Sequence, residues 1–188
     1  PKLFLYQSGY LTIKNVIEDS YVLGFPNREV KKALFELVIP IMLKKDKDET
    51  ENAIQELKMN FSTGNVEEGI LCLKQLIAHT PYSTQKKERF VFEEHFRFIL
   101  KNLFYICGFN VKEEEQVANG RIDLVVETSN IIYVIELKMS DNGGTSAATQ
   151  QIITRHYKDA YCASHKLVVG LALVFDKDNR GLKDWNKV

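Results

Sequence analysis

A basic surplus is missing from this sequence: its 188 residues carry 25 lysines and arginines against 25 aspartates and glutamates. Neutralising phosphates supplies most of a nucleic-acid binder's affinity, so zero net charge argues mildly against strong nucleic-acid binding and leaves only local patches to support it. Cysteine is scarce too. Cys72, Cys107 and Cys162 stand far apart, without the short paired spacing of a zinc site or the even count of a disulfide-stapled secreted domain. They read as buried free thiols, which suits a reducing cytoplasm. No signal peptide and no apolar run of membrane length occurs, so a cytoplasmic protein with no membrane partner is expected. A phosphate-binding G-x-x-x-x-G-K-[ST] loop is also absent, which excludes nucleotide hydrolysis by this chain. The sequence starts at Pro1 rather than methionine and reads as a piece of something longer.

What is present is the composition of a globular protein with a real core: 45% hydrophobic residues, 10 glycines and 4 prolines. The length suits one large domain or a medium domain with an appendage. Tyr10–Lys14 and Ser20–Phe25 are β-prone runs around the polar turn Glu18-Asp19. Asn27 is a candidate N-cap for a helix whose apolar residues (Val30, Ala33, Leu34, Leu37, Val38, Ile41) recur at helical spacing until Pro40 kinks or ends it. The charged stretch 44–49 marks a solvated boundary. Two further helices follow, one ended by Thr63-Gly64-Asn65, the other stopped by His79-Thr80-Pro81. From Lys86 a long helix with a wide apolar stripe (Phe92, Phe96, Ile99, Leu103, Phe104) runs to a cap at Gly108. Strands are expected at 109–117, 121–128 and 131–138, then a glycine-rich loop at 141–145, a helix at 147–163 and a strongly apolar strand at 167–175. That order, αβββαβ, is an α/β arrangement with an antiparallel start and a later crossover strand.

The chemistry concentrates in the hairpin of the middle strands. With Ser129-Asn130 as a two-residue turn, Asp123 faces Glu136 and Arg121 faces Lys138, with Cβ atoms about 4.5–5.5 Å apart. Glu136 and Lys138 share a face by the strand period, and Ile122, Leu124 and Val126 form the opposite, apolar face. Two carboxylates so close repel unless a cation lies between them. One or two carboxylates, with water and phosphate completing the shell, suit magnesium, and a lysine beside the metal can stabilise charge on a reacting phosphate. Alone, Glu-x-Lys on a strand is more often a solvated run of alternating charge.

Asp123, then Glu136-x-Lys138 across two strands, resembles the signature of the PD-(D/E)XK nuclease superfamily. The resemblance is closer to the nuclease-like domain at the C-terminus of bacterial AAA-ATPase-like proteins, on Gly120–Thr128, Tyr133–Lys138, Gln151-Ile152 with Tyr157, and Trp185 after the last strand. Upstream, Gly9–Ile13 and Leu23–Val30 look like the segment that closes the ATPase module, and Thr80-Pro81-Tyr82 with Glu88-Arg89-Phe90 like the start of the nuclease-like domain. The resemblance implies a restriction-endonuclease-like αβββαβ core with a mixed central sheet over residues 84–188. A hairpin and helical segment over 1–83 would be the end of an ATPase module whose nucleotide-binding part is missing here. It implies Asp123 and Glu136 as ligands of Mg2+ or Mn2+, Lys138 as catalytic lysine, Gln151 as a positioning residue, and Glu88 as a further acidic ligand, with Glu94 a rival. The superfamily's proline before the aspartate is replaced by Ile122. The function implied is metal-dependent hydrolysis of DNA or RNA. The alternatives are an inert nuclease fold serving as a binding or regulatory module for an ATPase, or an oligomerisation domain using the aromatic helix 90–106.

Other residues carry less. His79, His95, His156 and His165 have no metal-cluster spacing, although His95 lies seven residues from Glu88. Glu113-Glu114-Glu115 reads as a solvated strand end, and Arg121 as a partner of Glu136 or Glu127 or of phosphate. Arg155, His156 and Lys158, with Lys86, Lys87 and Arg89, are the local basic groupings available to a nucleic-acid backbone. Tyr157 is expected to pack the helix onto the sheet.

Overall fold

The computed structural model describes residues 2–78, 89–176 and 181–188, with backbone alone for 89–92. A short helix α1 (Lys2–Gln7), unsignalled by any periodicity, precedes a hairpin of β1 (Thr12–Ile17) and β2 (Ser20–Gly24). The first strand begins later than expected because the Leu11 N–H turns back to Leu5 O at 3.0 Å, so residues 10–11 belong to the exit of α1. Helix α2 (Arg28–Leu43) starts where Asn27 Oδ1 accepts the Val30 N–H at 2.8 Å, satisfying one free donor of the first turn. Pro40 lies inside α2, and the helix stops soon after it, at left-handed Lys44. Asp46 caps α3 (Lys47–Thr63), and Gly64, at φ 83°, supplies the left-handed turn into α4 (Val66–Ile77).

The second part begins with α5 (Arg89–Ile106) and continues with β3 (Asn110–Val117), β4 (Gly120–Glu127), β5 (Ile131–Met139), α6 (Gly144–Thr154), β6 (Leu167–Asp176) and β7 (Gly181–Lys187). The five strands form one sheet in the order β3-β4-β5-β6-β7, parallel between β5 and β6 and antiparallel elsewhere. This mixed sheet with its crossover helix is consistent with a restriction-endonuclease-like fold. Two expectations need correcting. The single helix expected at 147–163 is α6 followed by a 3-10 segment, Tyr157–Ser164, because His156 takes a left-handed φ of 50° and breaks the α-helical path. Trp185 does not follow the last strand but lies inside β7, paired with Leu173.

Each face of the sheet is covered. On one face, Leu124, Val126, Tyr133, Ile135 and Leu171 join Phe61 of α3, Leu73 of α4 and Phe104 of α5 in one continuous core. Phe61 is its hinge pin: its ring meets Phe104 at 4.9 Å and Tyr133 at 5.0 Å, and its carbonyl accepts the Tyr133 hydroxyl at 2.7 Å. Burying such a ring contributes about 2–3 kcal/mol. On the other face α6 and Tyr157 cover Val125, Ile132, Val134 and Ala172. Ile122 belongs to this second cluster rather than to the side of Leu124 and Val126, a departure from strict alternation beside Asp123. The central strand β5 is therefore apolar apart from Glu136 and Lys138, as a strand covered twice must largely be. Glu136 is the acid in the middle of that run.

Candidate active site

The turn that sets the hairpin register is built by Thr128. Its Oγ1 accepts the Ile131 N–H at 2.9 Å, which closes the loop over Ser129 and Asn130. The β4–β5 ladder then pairs Glu127 with Ile132 and Leu124 with Ile135, the register a two-residue turn requires. It ends there. One step on, Asp123 Oδ2 accepts the Leu137 N–H at 2.8 Å, replacing a ladder bond by a side-chain bond. β4 stays paired to β3 as far as Gly120, and β5 stays paired to β6 as far as Met139. The two middle strands thus fork at Asp123 and Glu136, and the fork opens a cleft of about 660 Å³.

Asp123, Glu136, Lys138 and Gln151 all line this cleft. Lys138 Nζ donates to Glu136 Oε1 at 2.8 Å, as residues two apart on one strand can. Gln151 reaches down from α6, its Nε2 3.4 Å from the Tyr157 hydroxyl, which itself donates to Arg121 O at 2.9 Å. Tyr157 is buried and ties the segment after α6 to the start of β4. Gly120, at φ 147°, allows that approach, since a Cβ there would lie 2.9 Å from the Tyr157 oxygen. Glu88 falls outside the described residues, as do Lys86 and Lys87.

Two charged groups that the sequence did not single out, Glu93 and Arg97, join the site, and Arg97 ties it to Glu114, read from the sequence only as part of a solvated strand end. Glu93 of α5 lines the cleft, whereas its neighbour Glu94 is exposed and does not. One turn on, Arg97 Nη1 stands 3.9 Å from Asp123 Oδ1, and its Nη2 is 3.3 Å from Glu114 Oε1. Glu114 also receives Arg121 at 3.3 Å, so Arg121 pairs with neither Glu136 nor Glu127. Glu114 sits opposite Asp123 with a left-handed φ of 51°, an uncommon conformation for a residue with a side chain. Glu113 likewise holds Lys101, so this acidic run forms ion pairs rather than a bare solvated end. The signal for Glu93 and Arg97 was their four-residue spacing, which puts both on one helix face. His95 is set edge-on to Phe96 at 5.8 Å, does not line the cleft, and has its pKa lowered by burial.

The formal charges lining the cleft cancel, but they leave Glu136 unsatisfied. Glu136 is only 1% exposed, and its Oε2 is buried without a hydrogen-bond partner among the described residues. Burial, and then the nearby Asp123 charge, push its pKa up to about 8 despite the Lys138 hydrogen bond. For Lys138 burial works against the charged form. The hydrogen bond and charge of Glu136, then Asp123 and Glu93, outweigh it and hold the ammonium above its usual range. A cation between Asp123 and Glu136 would satisfy the orphaned oxygen and relieve both burial and repulsion. The donor set, two hard carboxylates in an open cleft, fits a divalent ion of the magnesium type with water completing the shell. Among the described residues no group of three or more histidine, cysteine, aspartate or glutamate side chains closes around such an ion.

Outside the site, Cys72 and Cys107 are buried free thiols, but Cys162 is exposed. Among the described residues no helix is long and apolar enough to cross a membrane.

Comparison with known proteins agrees with this geometry. The chain is 26% identical over 184 residues to an uncharacterized protein in the vnfD 5′ region of Azotobacter chroococcum mcd 1, an alignment covering 95% of this chain. It spans only 35% of that relative's length. No solved structure is a significant match. The family model of the PD-(D/E)XK nuclease superfamily matches residues 91–185, from α5 through the forked strands to Trp185, and the chain belongs to that superfamily.

Proposed function

We propose that this nuclease-type domain is an active phosphodiester hydrolase for DNA or RNA, dependent on Mg2+ or Mn2+ held by Asp123 and Glu136. The observation that carries the reading is the fork itself: two carboxylates and a lysine meet in one open cleft, and one carboxylate oxygen has no hydrogen-bond partner among the described residues. A bound divalent ion would supply Lewis-acid polarisation of the phosphoryl oxygen and a more acidic water. The protein's own groups do the rest. Lys138, kept protonated by Glu136 and Asp123, is a donor aimed at the developing charge on phosphate. Gln151 is a neutral donor and acceptor above it, held by Tyr157. Arg97 balances Asp123 from the α5 side. Whether Glu88 joins as a further acidic ligand is part of the proposal, tested by Glu88→Ala.

The test is metal-dependent cleavage of single- and double-stranded DNA and of RNA. Asp123→Ala and Lys138→Ala should each lower it by about 10²–10³-fold while leaving the thermal melt cooperative. Undiminished cleavage by either variant would refute the assignment. The second reading, an inert nuclease fold acting as a binding or regulatory module, draws support from the fact that no three histidine, cysteine, aspartate or glutamate side chains among the described residues are grouped so as to hold a metal ion. It requires that the wild type cleave nothing under any metal.

We also propose that the domain accompanies an AAA-ATPase-like module in the bacterial cytoplasm, with residues 1–83 as the end of that module. The greater length of the relative and the exposed apolar side chains Leu3, Phe4, Val16 and Tyr21 support the association. The unpaired thiols fit a reducing compartment. Failure of this chain to bind such a module in a pull-down would count against it.

A further inference from the structure

The net-neutral chain does not spread its charge evenly. Two adjoining clefts, of about 350 and 470 Å³, meet at Arg28, Phe109 and Asn110. Between them they are lined by five cations (Arg28, Lys31, Lys58, Lys101 and Lys166) and one carboxylate, Glu127. Two of the cations are matched: Lys166 pairs with Glu127 at 2.8 Å, and Lys101 with Glu113. No ion pair to Arg28, Lys31 or Lys58 occurs among the described residues. By contrast the cleft at the strand fork is balanced, with Glu93, Asp123 and Glu136 against Arg121, Lys138 and Arg155.

The cationic clefts are built rather than incidental. Arg28 is pinned from the start of α2 to the end of α5, its Nη2 donating to Gly108 O at 2.7 Å and Phe109 O at 3.1 Å. Lys31 Nζ stands 4.1 Å from the Tyr105 ring centroid, and that ring also carries the Arg28 guanidinium at 5.5 Å. Burial and then Lys101 lower the Lys31 pKa; Glu113 opposes them and Arg28 adds to them, so crowding by like charge outweighs the one nearby anion.

The clefts also connect with the candidate active site. Glu93, Arg97, Lys101 and Tyr105 are spaced four apart on one face of α5. The first lines the fork cleft, the second stands beside Asp123, and the last two line a cationic cleft. The stripe is about 18 Å long. Along β4, four residues or about 13 Å separate Glu127 from Asp123. A nucleic-acid strand advances about 3.4 Å per nucleotide, so a few nucleotides reach from one to the other.

We propose that the Arg28–Lys31–Lys58 clefts are a second binding site that holds the backbone phosphates of a nucleic-acid strand a few nucleotides away from the cleavage point. This rests on the reading of the domain as one that acts on phosphodiesters. Contacts of this kind fix position without reading sequence, so they contribute affinity and salt dependence but no base preference.

The test is fluorescence anisotropy of a fluorescein-labelled 20-nucleotide oligo(dT) with the intact chain in EDTA, where no cleavage occurs. Lys31→Gln and the exposed Lys58→Glu should each weaken binding several-fold and reduce the slope of log K against log salt by about 0.7. Lys47→Glu, on the exposed face of α3, is the control and should change neither by as much. Asp123→Ala, which removes the proposed metal ligand, should still bind. Equal binding by wild type and both cleft variants overturns the proposal, as does binding of ATP without binding of the oligonucleotide. If the wild type cleaves nothing yet Lys58→Glu still weakens oligonucleotide binding, the hydrolase reading fails and the second site stands.

Discussion

Replacing Glu136 by glutamine isolates the electrostatics of the fork while keeping its shape. The Glu136 carboxyl has one oxygen without a hydrogen-bond partner among the described residues and a pKa of about 8, against an ordinary 4.5, caused first by burial and then by Asp123. An acid whose folded pKa lies above its unfolded value destabilises the fold once the pH passes the unfolded value, because the unfolded chain then releases a proton that the folded chain retains. The cost therefore begins near the unfolded pKa of 4.5, grows by about 1.4 kcal/mol per pH unit, and levels off above the folded value of about 8. At pH 7 it is on the order of 3 kcal/mol. Glutamine still accepts from Lys138 but carries no charge, and Lys138 loses an ionic partner, so a net gain of about 1–3 kcal/mol is expected. In a chain of this size that is a rise in Tm of about 2–10 °C. The assay is a thermal melt in EDTA at pH 7, repeated toward pH 4.5, where the gain should fade. Added Mg2+ or Mn2+ should stabilise the wild type and leave the variant behind. A Glu136→Gln protein less stable than wild type at pH 7 in EDTA would refute the reasoning.

Gly69→Ala should lower stability. A Cβ on Gly69 would lie 2.6 Å from the Phe61 ring, which Phe104 and Tyr133 hold in place. The overpacking cost of about 1–3 kcal/mol should exceed the gain of about 1 kcal/mol in helix propensity, and a higher Tm on thermal unfolding would contradict this. With a thiol reagent such as DTNB, the native chain should release one fast equivalent, from exposed Cys162. Buried Cys107, its pKa pushed up to about 12 by burial, and buried Cys72 should react only on unfolding; two fast equivalents would show the core to be more open than described.

The strand register was legible because a two-residue turn leaves no freedom, and Thr128 supplies the closing bonds that Ser129 and Asn130 signal only weakly. The fork was not legible: alternation says which residues share a face, not where two strands part company. Nor was β7, a polar edge strand in which Leu182 alone is buried. Glu93 and Arg97 were hidden by the breadth of the apolar stripe on α5, which leaves several helix faces able to carry a polar pair. His156 broke the helix after α6 without the glycine that usually announces a left-handed residue.

Titration of Mn2+ and Mg2+ into the intact chain by calorimetry tests the central claim most directly. The arrangement of Asp123 and Glu136 predicts saturable binding that Asp123→Asn abolishes while its melt stays cooperative. Binding that is unchanged in Asp123→Asn, or absent from the wild type, would contradict it.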